Sequence, residues 1–226
     1  MKPRKDYFKE LKLYFWDNQL NFSDYQIERL AHFTELLVKK NEDLNLISRK
    51  DVENVVENHV FISTFITKFI PQNPNFFLDI GTGGGLPGIP FSIIKPLTKG
   101  VLVDSTGKKI DAVKSFVQKL KLGNLEVEKS RVESDEFIEK YKNKFDLIVS
   151  RGTVPLVLLF RYSLPLIETK AYLAVIKGGN LDEEIKTAEL KYKSYIKKST
   201  IFDLSYKPNN IRNKKQKKII LLELTK

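Results

Sequence analysis

The 226-residue chain contains no cysteine. Disulfides, thiolate metal sites and cysteine nucleophiles are therefore excluded. Two histidines, His32 and His59, are too few for a histidine-rich metal centre. No apolar run approaches the length of a bilayer span; Ile219–Leu222 is among the longest. The first residues, MKPRKDYFKELKLYF, are charged throughout and lack the apolar core and cleavage site of a secretory signal. From these absences we expect a cytoplasmic protein with no metal and no membrane partner, and a monomer by default.

What is present is a globular composition and a strong charge bias. Hydrophobic residues make up 42% of the chain, enough for a buried core. The net charge of +11 favours a polyanionic partner, above all nucleic acid. A lysine-rich composition bias would give the same charge, and charge does not say which nucleic acid is bound.

Residues 1–74 carry helical periodicity. Phe8, Leu11, Tyr14 and Phe15 fall at helical spacing, and Tyr14 and Trp16 are expected to pack in the core. Ser23 and Gln26 form a capping-box signature ahead of Ile27, Leu30, Phe33 and Leu37. Asp51 is placed to cap a helix through Val55, His59, Ile62, Ile66 and Ile70, stopped by Pro71. From residue 75 the pattern changes. Short β-branched runs, FFLDI, GVLVDS, LEVEKS, FDLIVS, AYLAVIK and KKIILLELT, alternate with helical stretches. Gly123-Asn124 offers a helix stop after the face Ile110, Val113, Phe116, Val117 and Leu120. Such alternation predicts right-handed βαβ units and a mostly parallel sheet, with 1–74 as a helical cap and 75–226 as the core of one compact unit. The basic run NNIRNKKQKK reads as an exposed loop before the last strand.

The most informative stretch is FFLDIGTGGGLPGIP, residues 76–90. It follows the first strand of a parallel sheet, where ligands bind at the carboxyl ends. Gly83, Gly85 and Gly88 fit a dinucleotide fingerprint. Asp79, Gly81, Gly83 and Gly85 fit the acid-first loop of S-adenosylmethionine-dependent methyltransferases. The acid favours the second ligand: a carboxylate repels a pyrophosphate and attracts an ammonium and a sulfonium. Pro87 and Pro90 suit the first turn of the helix that follows. Asp104, ending the second strand, can accept hydrogen bonds from ribose hydroxyls of either cofactor.

At this point the sequence resembles a particular family. LDIGTGGGLPGIP, VDSTGKK, SRVE, FDLIVSR and IKGG, preceded by NLNLIS and Asn58-His59, occur in the order and spacing of the RsmG (GidB) family. These are bacterial methyltransferases acting on small-subunit ribosomal RNA. The resemblance implies a class I methyltransferase fold, Rossmann-like with a mostly parallel seven-stranded sheet and an N-terminal helical cap. It implies methyl transfer from S-adenosylmethionine to N7 of a guanosine in the decoding-region loop of 16S rRNA, as free RNA or within the small ribosomal subunit. It places the cofactor against Gly81, Leu86, Val132, Glu133 and Arg151, with Asp104 near the ribose. Two departures stand out. The family motif H-x-x-D-S meets Ile62 where the acid would be, and GTVPL follows Ser150-Arg151 where Ala-hydrophobic-Ala is usual. The first leaves His59 without its acid; the residue is as readily a buried structural histidine as a substrate contact.

Guanine N7 carries an in-plane lone pair and no proton, so no general base is required. Alignment is the protein's task. Arg151, after the fourth strand, could hold a carboxylate, a phosphate or guanine O6 and is the expected positioning residue. Lys108, Lys109, Lys177, Arg212, Lys214, Lys215, Lys217 and Lys218 are candidates for RNA by position. Three other readings stay open on the residues: a methyltransferase with another RNA or protein substrate, an NAD-dependent oxidoreductase, and a noncatalytic RNA-binding module on this scaffold.

Overall fold

The computed structural model describes residues 2–70 and 73–226. Seven strands form one sheet: β1 (Phe76–Ile80), β2 (Lys99–Asp104), β3 (Leu125–Lys129), β4 (Phe145–Arg151), β5 (Ile167–Gly178), β6 (Ile196–Asp203) and β7 (Lys217–Thr225). Their order is β3-β2-β1-β4-β5-β7-β6. The first five run parallel, and β7 lies antiparallel between β5 and β6. Strand order reverses between β1 and β4, so the crevice at their carboxyl ends is the expected ligand site of this sheet.

Two-residue alternation sorts the strand side chains onto two faces. Phe77, Leu102, Val149, Ile176 and Ile219 face one core, and Leu78, Val103, Ile148, Val175 and Ile220 face the other. The first core is covered by α1 (Arg4–Asp17), α2 (Asp24–Asn41), α3 (Ile62–Phe65), α4 (Gly88–Ile94) and α5 (Gly107–Lys119). The second is covered by α6 (Asp135–Tyr141), α7 (Leu156–Ser163) and α8 (Asp182–Lys191). The N-terminal helices therefore share a continuous core with the sheet.

The Ser23–Gln26 capping box forms as expected at the start of α2. Three local expectations are corrected. Asp51 caps no helix: it lies in a 3-10 turn (Arg49–Asp51), followed by a π-helical turn (Val56–Phe61), α3 and another 3-10 turn (Ile66–Lys68). The proposed stop at Pro71 lies outside the described residues. Helix α5 ends before Gly123, with Lys121 taking the left-handed conformation at φ 51°. Trp16 is 82% exposed, because α1 buries the face of Tyr7, Leu11, Tyr14 and Phe15 and Trp16 falls outside that stripe. The run after Asn209 is the expected exposed turn before β7, anchored at two points. Asn210 is fully buried and donates to the Leu204 carbonyl at 2.6 Å, while Lys215 is paired with the buried Glu57.

Candidate active site

The glycine loop is held from below by Asp79. This carboxyl ends the same-face series begun by Phe77, so it points to the α4 side of the sheet. It is fully buried, and its Oδ2 accepts from the Gly88 backbone N–H at 2.9 Å and from the Thr82 hydroxyl at 2.7 Å. A side chain at position 88 would collide with Leu102 and stand 2.7 Å from Asp79 Oδ2, so only glycine permits this approach. Asp79 Oδ1 is buried with no partner. Burial pushes the Asp79 pKa up to about 7, against the hydrogen bonds from Thr82 and Gly88 and the charge of Arg151, which pull it down.

Above the brace, the loop turns across the ends of β1 and β2. Gly81 and Thr82 donate to the Val103 carbonyl at 2.9 and 3.0 Å. Gly81 has φ +71°, and a Cβ there would strike the Thr153 methyl. Asp104 completes the turn, its Oδ2 accepting from the Gly83 N–H at 3.1 Å and its Oδ1 from the Thr106 N–H at 2.8 Å.

A cleft of about 260 Å³ opens here. Gly81, Asp104, Val132 and Glu133 all line it, together with Ser130 and Thr153. Four residues singled out on three separate strand ends thus meet at one surface. Val132 is buried as part of its wall, and Glu133 stands on its rim 3.6 Å from Arg131. The acceptor set fits a ribose-bearing cofactor. Asp104 retains lone pairs beyond its two loop contacts, and Ser130 and Glu133 supply further polar atoms.

The other expected site residues lie behind this surface. Leu86 is buried in the core shared with the N-terminal helices, and Asp79 sits under the loop rather than in the cleft. Gly83 and Gly85 shape the turn, with φ +55° and +88°, without lining the cleft. Arg151 turns towards the N-terminal segment. Its Nη1 donates to the Asn58 carbonyl at 3.1 Å and its Nη2 contacts His59 Nδ1. Burial lowers the guanidinium pKa, and Asp79 and Asp51 offset part of that shift. Lys217 of β7 belongs to the same cationic corner: burial first, then Arg151 and Lys215, bring its pKa down to about 8.

The histidine has an acid after all. Asp51 Oδ2 lies 3.4 Å from His59 Nε2, and its Oδ1 accepts from Asn58 Nδ2 at 3.1 Å. The acid comes from eight residues upstream, not from position 62. Sequence reasoning also missed the Glu57 cluster. This buried carboxylate accepts from Tyr14 at 2.9 Å, Tyr206 at 2.8 Å and Asn209 at 2.7 Å, and pairs with Lys215. It fastens α1 and the loop before β7 to the segment that carries His59. Thr153 and Ser130 had a signal in the sequence: each lies within a motif, GTVPL and SRVE, that stands beside or contains residues singled out.

A family model described as GidB, rRNA small subunit methyltransferase G, matches residues 26–212. The chain belongs to this family. Among curated relatives named ribosomal RNA small subunit methyltransferase G, that of Chlorobium luteolum is 44% identical, over 72% of this chain and 67% of the relative. That of Chlorobium limicola is 41% identical over 75% and 76%, and that of Clostridium novyi 32% over 84% and 78%. Among solved structures, an O-methyltransferase from Bacillus cereus in complex with SAH is similar with a TM-score of 0.64 and 14% identity, covering 99% of this chain and 100% of that one. A predicted O-methyltransferase from Agrobacterium tumefaciens has a TM-score of 0.60 at 12% identity, over 72% and 80%. The fold is that of the class I S-adenosylmethionine-dependent methyltransferases. Membership of a methyltransferase family also removes the oxidoreductase reading of the glycine loop. Among the described residues, no helix is long and apolar enough to cross a membrane, and no cluster of three or more His, Asp or Glu is placed to hold a metal.

Proposed function

We propose that the chain transfers a methyl group from S-adenosylmethionine to N7 of a guanosine in the decoding-region loop of 16S rRNA. The observation that carries the reading is the convergence of Gly81, Asp104, Val132 and Glu133 on one cleft at the switch point of a methyltransferase sheet. When bound, the cofactor supplies an electrophilic methyl group on a sulfonium. Asp104 takes the ribose hydroxyls, and Val132 and Glu133 meet the adenine. Gly81 gives the cofactor close access to the loop backbone. Asp79, beneath the loop, adds negative potential where the cofactor brings cationic groups.

The acceptor N7 has no proton to remove, so no residue acts as a base. The remaining task is alignment of N7 with the methyl carbon. Arg151 serves it as a positioning residue: it ties the end of β4, two residues before Thr153 of the cleft, to the backbone of Asn58 in the N-terminal segment. The charge of +11 supplies attraction to RNA.

The test is methyl transfer from labelled S-adenosylmethionine to small ribosomal subunits lacking the modification, with the labelled nucleotide mapped. Label on a guanosine N7 of the decoding-region loop is the expected result. Tight binding of S-adenosylhomocysteine with no label on subunits or free rRNA would overturn the substrate. RNA binding with no transfer to any acceptor would turn the chain into a binding module.

A further inference from the structure

Several lysines that the sequence offers to RNA are already engaged. Lys177 pairs with Glu184, Lys215 with Glu57, and Lys218 lies 3.4 Å from Asp182. Among the described residues Lys108 is not, and it stands with three further lysines on one groove. This groove, of about 520 Å³, runs between α2 and α5. Its floor is apolar, with Phe116 buried and Leu44 half-buried. Its rim carries the exposed lysines Lys39, Lys40, Lys108 and Lys119. Lys40 has a distant carboxylate partner, Asp43, at 3.9 Å. Among the described residues no carboxylate lies within ion-pair distance of the other three, and Asp111 is the second acid on the groove.

The groove is placed next to the methyl-transfer site. Helix α5 begins directly after the Asp104–Thr106 turn that borders the cleft, and Lys108 stands in its first turn. On the inner side of α2, the other wall, Leu37 packs with Leu46 over Gly84 of the glycine loop. Groove and cleft thus flank the same loop from opposite sides. The Asp104–Lys108 turn is the short link between them, so a strand whose reacting base lies at the cleft has the groove rim four residues along the chain. Lysines around a shallow apolar floor match the chemistry of a single-stranded polynucleotide: phosphates at the rim, and a base or ribose below.

We propose that the α2–α5 groove holds a segment of the substrate RNA strand that flanks the methylated nucleotide. This rests on the reading of the chain as an rRNA methyltransferase. Phosphate contacts position the strand and carry no sequence information. The groove therefore contributes affinity and salt sensitivity, while the cleft contributes the reaction.

The test compares the triple variant Lys39→Gln, Lys108→Gln, Lys119→Gln with a control of equal charge, Lys186→Gln, Lys193→Gln, Lys198→Gln, whose lysines are exposed on α8, the turn after it and the edge strand β6. Binding to small ribosomal subunits is measured directly, over a range of salt and independently of turnover. The groove variant should bind at least about fivefold more weakly than the control. Its log–log salt slope should be shallower by about 2, near the 0.7 per phosphate of single strands. Affinity for S-adenosylhomocysteine should stay unchanged in both. Equal weakening of the two variants would reduce the effect to net charge and overturn the proposal, as would no weakening in either. Subunits bound by the unaltered protein but never methylated would overturn the proposed function and leave the groove comparison readable. No binding of subunits or rRNA at all would overturn both.

Discussion

Asp51 Oδ2 stands 3.4 Å from His59 Nε2, while the opposite ring nitrogen, Nδ1, faces the Arg151 guanidinium. A guanidinium only donates, so Nδ1 must accept and the proton of a neutral ring must sit on Nε2, towards Asp51. Burial lowers the His59 pKa, and the charge of Arg151 lowers it further, against the opposing charge of Asp51. The three side chains make a fixed junction between the N-terminal segment and the end of β4.

The ring should therefore stay neutral, with its proton on Nε2, across the physiological range. Nitrogen NMR of the imidazole should show that tautomer from pH 5 to 8 with no titration. An inflection near the ordinary histidine value of about 6.5 would show that the junction opens in solution.

Arg151→Ala should lower methyl transfer strongly while the fold survives. It also removes a charged donor from the Asn58 carbonyl, so a stability loss of about 1.5–3 kcal/mol is expected alongside. Arg151→Lys keeps the charge but not the fork, and should recover stability more than rate. Near-normal transfer by the alanine variant would remove Arg151 from the site.

Glu57 is a second titrating anchor of the fold. Burial alone would raise its pKa, but hydrogen bonds from Lys215, Asn209, Tyr206 and Tyr14 together bring it down to about 2 from 4.5. A depressed carboxyl pKa stabilises the folded state above the unfolded value and stops doing so as pH falls through the folded one. Glu57→Gln should thus cost about 2–4 kcal/mol at pH 7, by leaving Lys215 and the two hydroxyls imperfectly paired. In paired denaturation curves the gap between the proteins should narrow from pH 4.5 downward. A gap independent of pH would mean that the carboxylate charge is not what the cluster uses.

The fold was legible wherever the pattern was local. The strand runs from Phe76 to Ser150 alternate with helices at spacings that only a parallel sheet satisfies, and glycines between an acid and two prolines mark the ligand end of β1. The edge strand β6 was not legible, because Lys197, Lys198 and Ser199 keep its exposed residues polar and mask the alternation. The cleft residues Gly81, Asp104, Val132 and Glu133 could be named because each closes a strand or follows one. Their depth could not. The facing of Asp79 depends on which sheet face the helices of residues 2–70 cover, which its own strand does not reveal. The Glu57 cluster joins residues 43, 149, 152 and 158 positions away, beyond any periodicity. Asp51 was read as a cap because a regular helix was expected, and the irregular turns that follow it bring it back to His59.

Gly81 and Gly152 separate backbone strain from crowding. Both have positive φ, +71° and +59°, but a Cβ at Gly81 meets the Thr153 methyl and one at Gly152 meets nothing within 4 Å. Gly152→Ala should lose only the left-handed penalty of about 1–2 kcal/mol. Gly81→Ala should lose more, and the added change Thr153→Ser, which keeps the hydroxyl bonded to Ser150 at 2.6 Å, should restore the excess. Gly81→Val should abolish cofactor binding. Unchanged affinity by calorimetry would show that the loop is not the cofactor's seat.

Asp79 ties loop architecture to ligand charge. With a pKa raised to about 7 from 3.8, the folded state holds a proton that the unfolded state has already lost. Between those values stability falls as pH rises, because the folded state must give up that proton inside the core. Asp79→Asn keeps an acceptor for Gly88 and Thr82 but cannot ionise. Its melting temperature relative to the unaltered protein should therefore climb from pH 5 to pH 8, by about 2–4 °C for each kcal/mol relieved in a chain of this size. A cationic cofactor acts in the opposite direction, because it favours the carboxylate. S-adenosylhomocysteine, with its ammonium group, should thus release part of a proton on binding near pH 7, and the asparagine variant should release none while binding more weakly. Calorimetry in two buffers of different ionisation enthalpy reads this directly. Equal proton release by the two proteins would mean that Asp79 braces the loop and plays no part in attracting the cofactor.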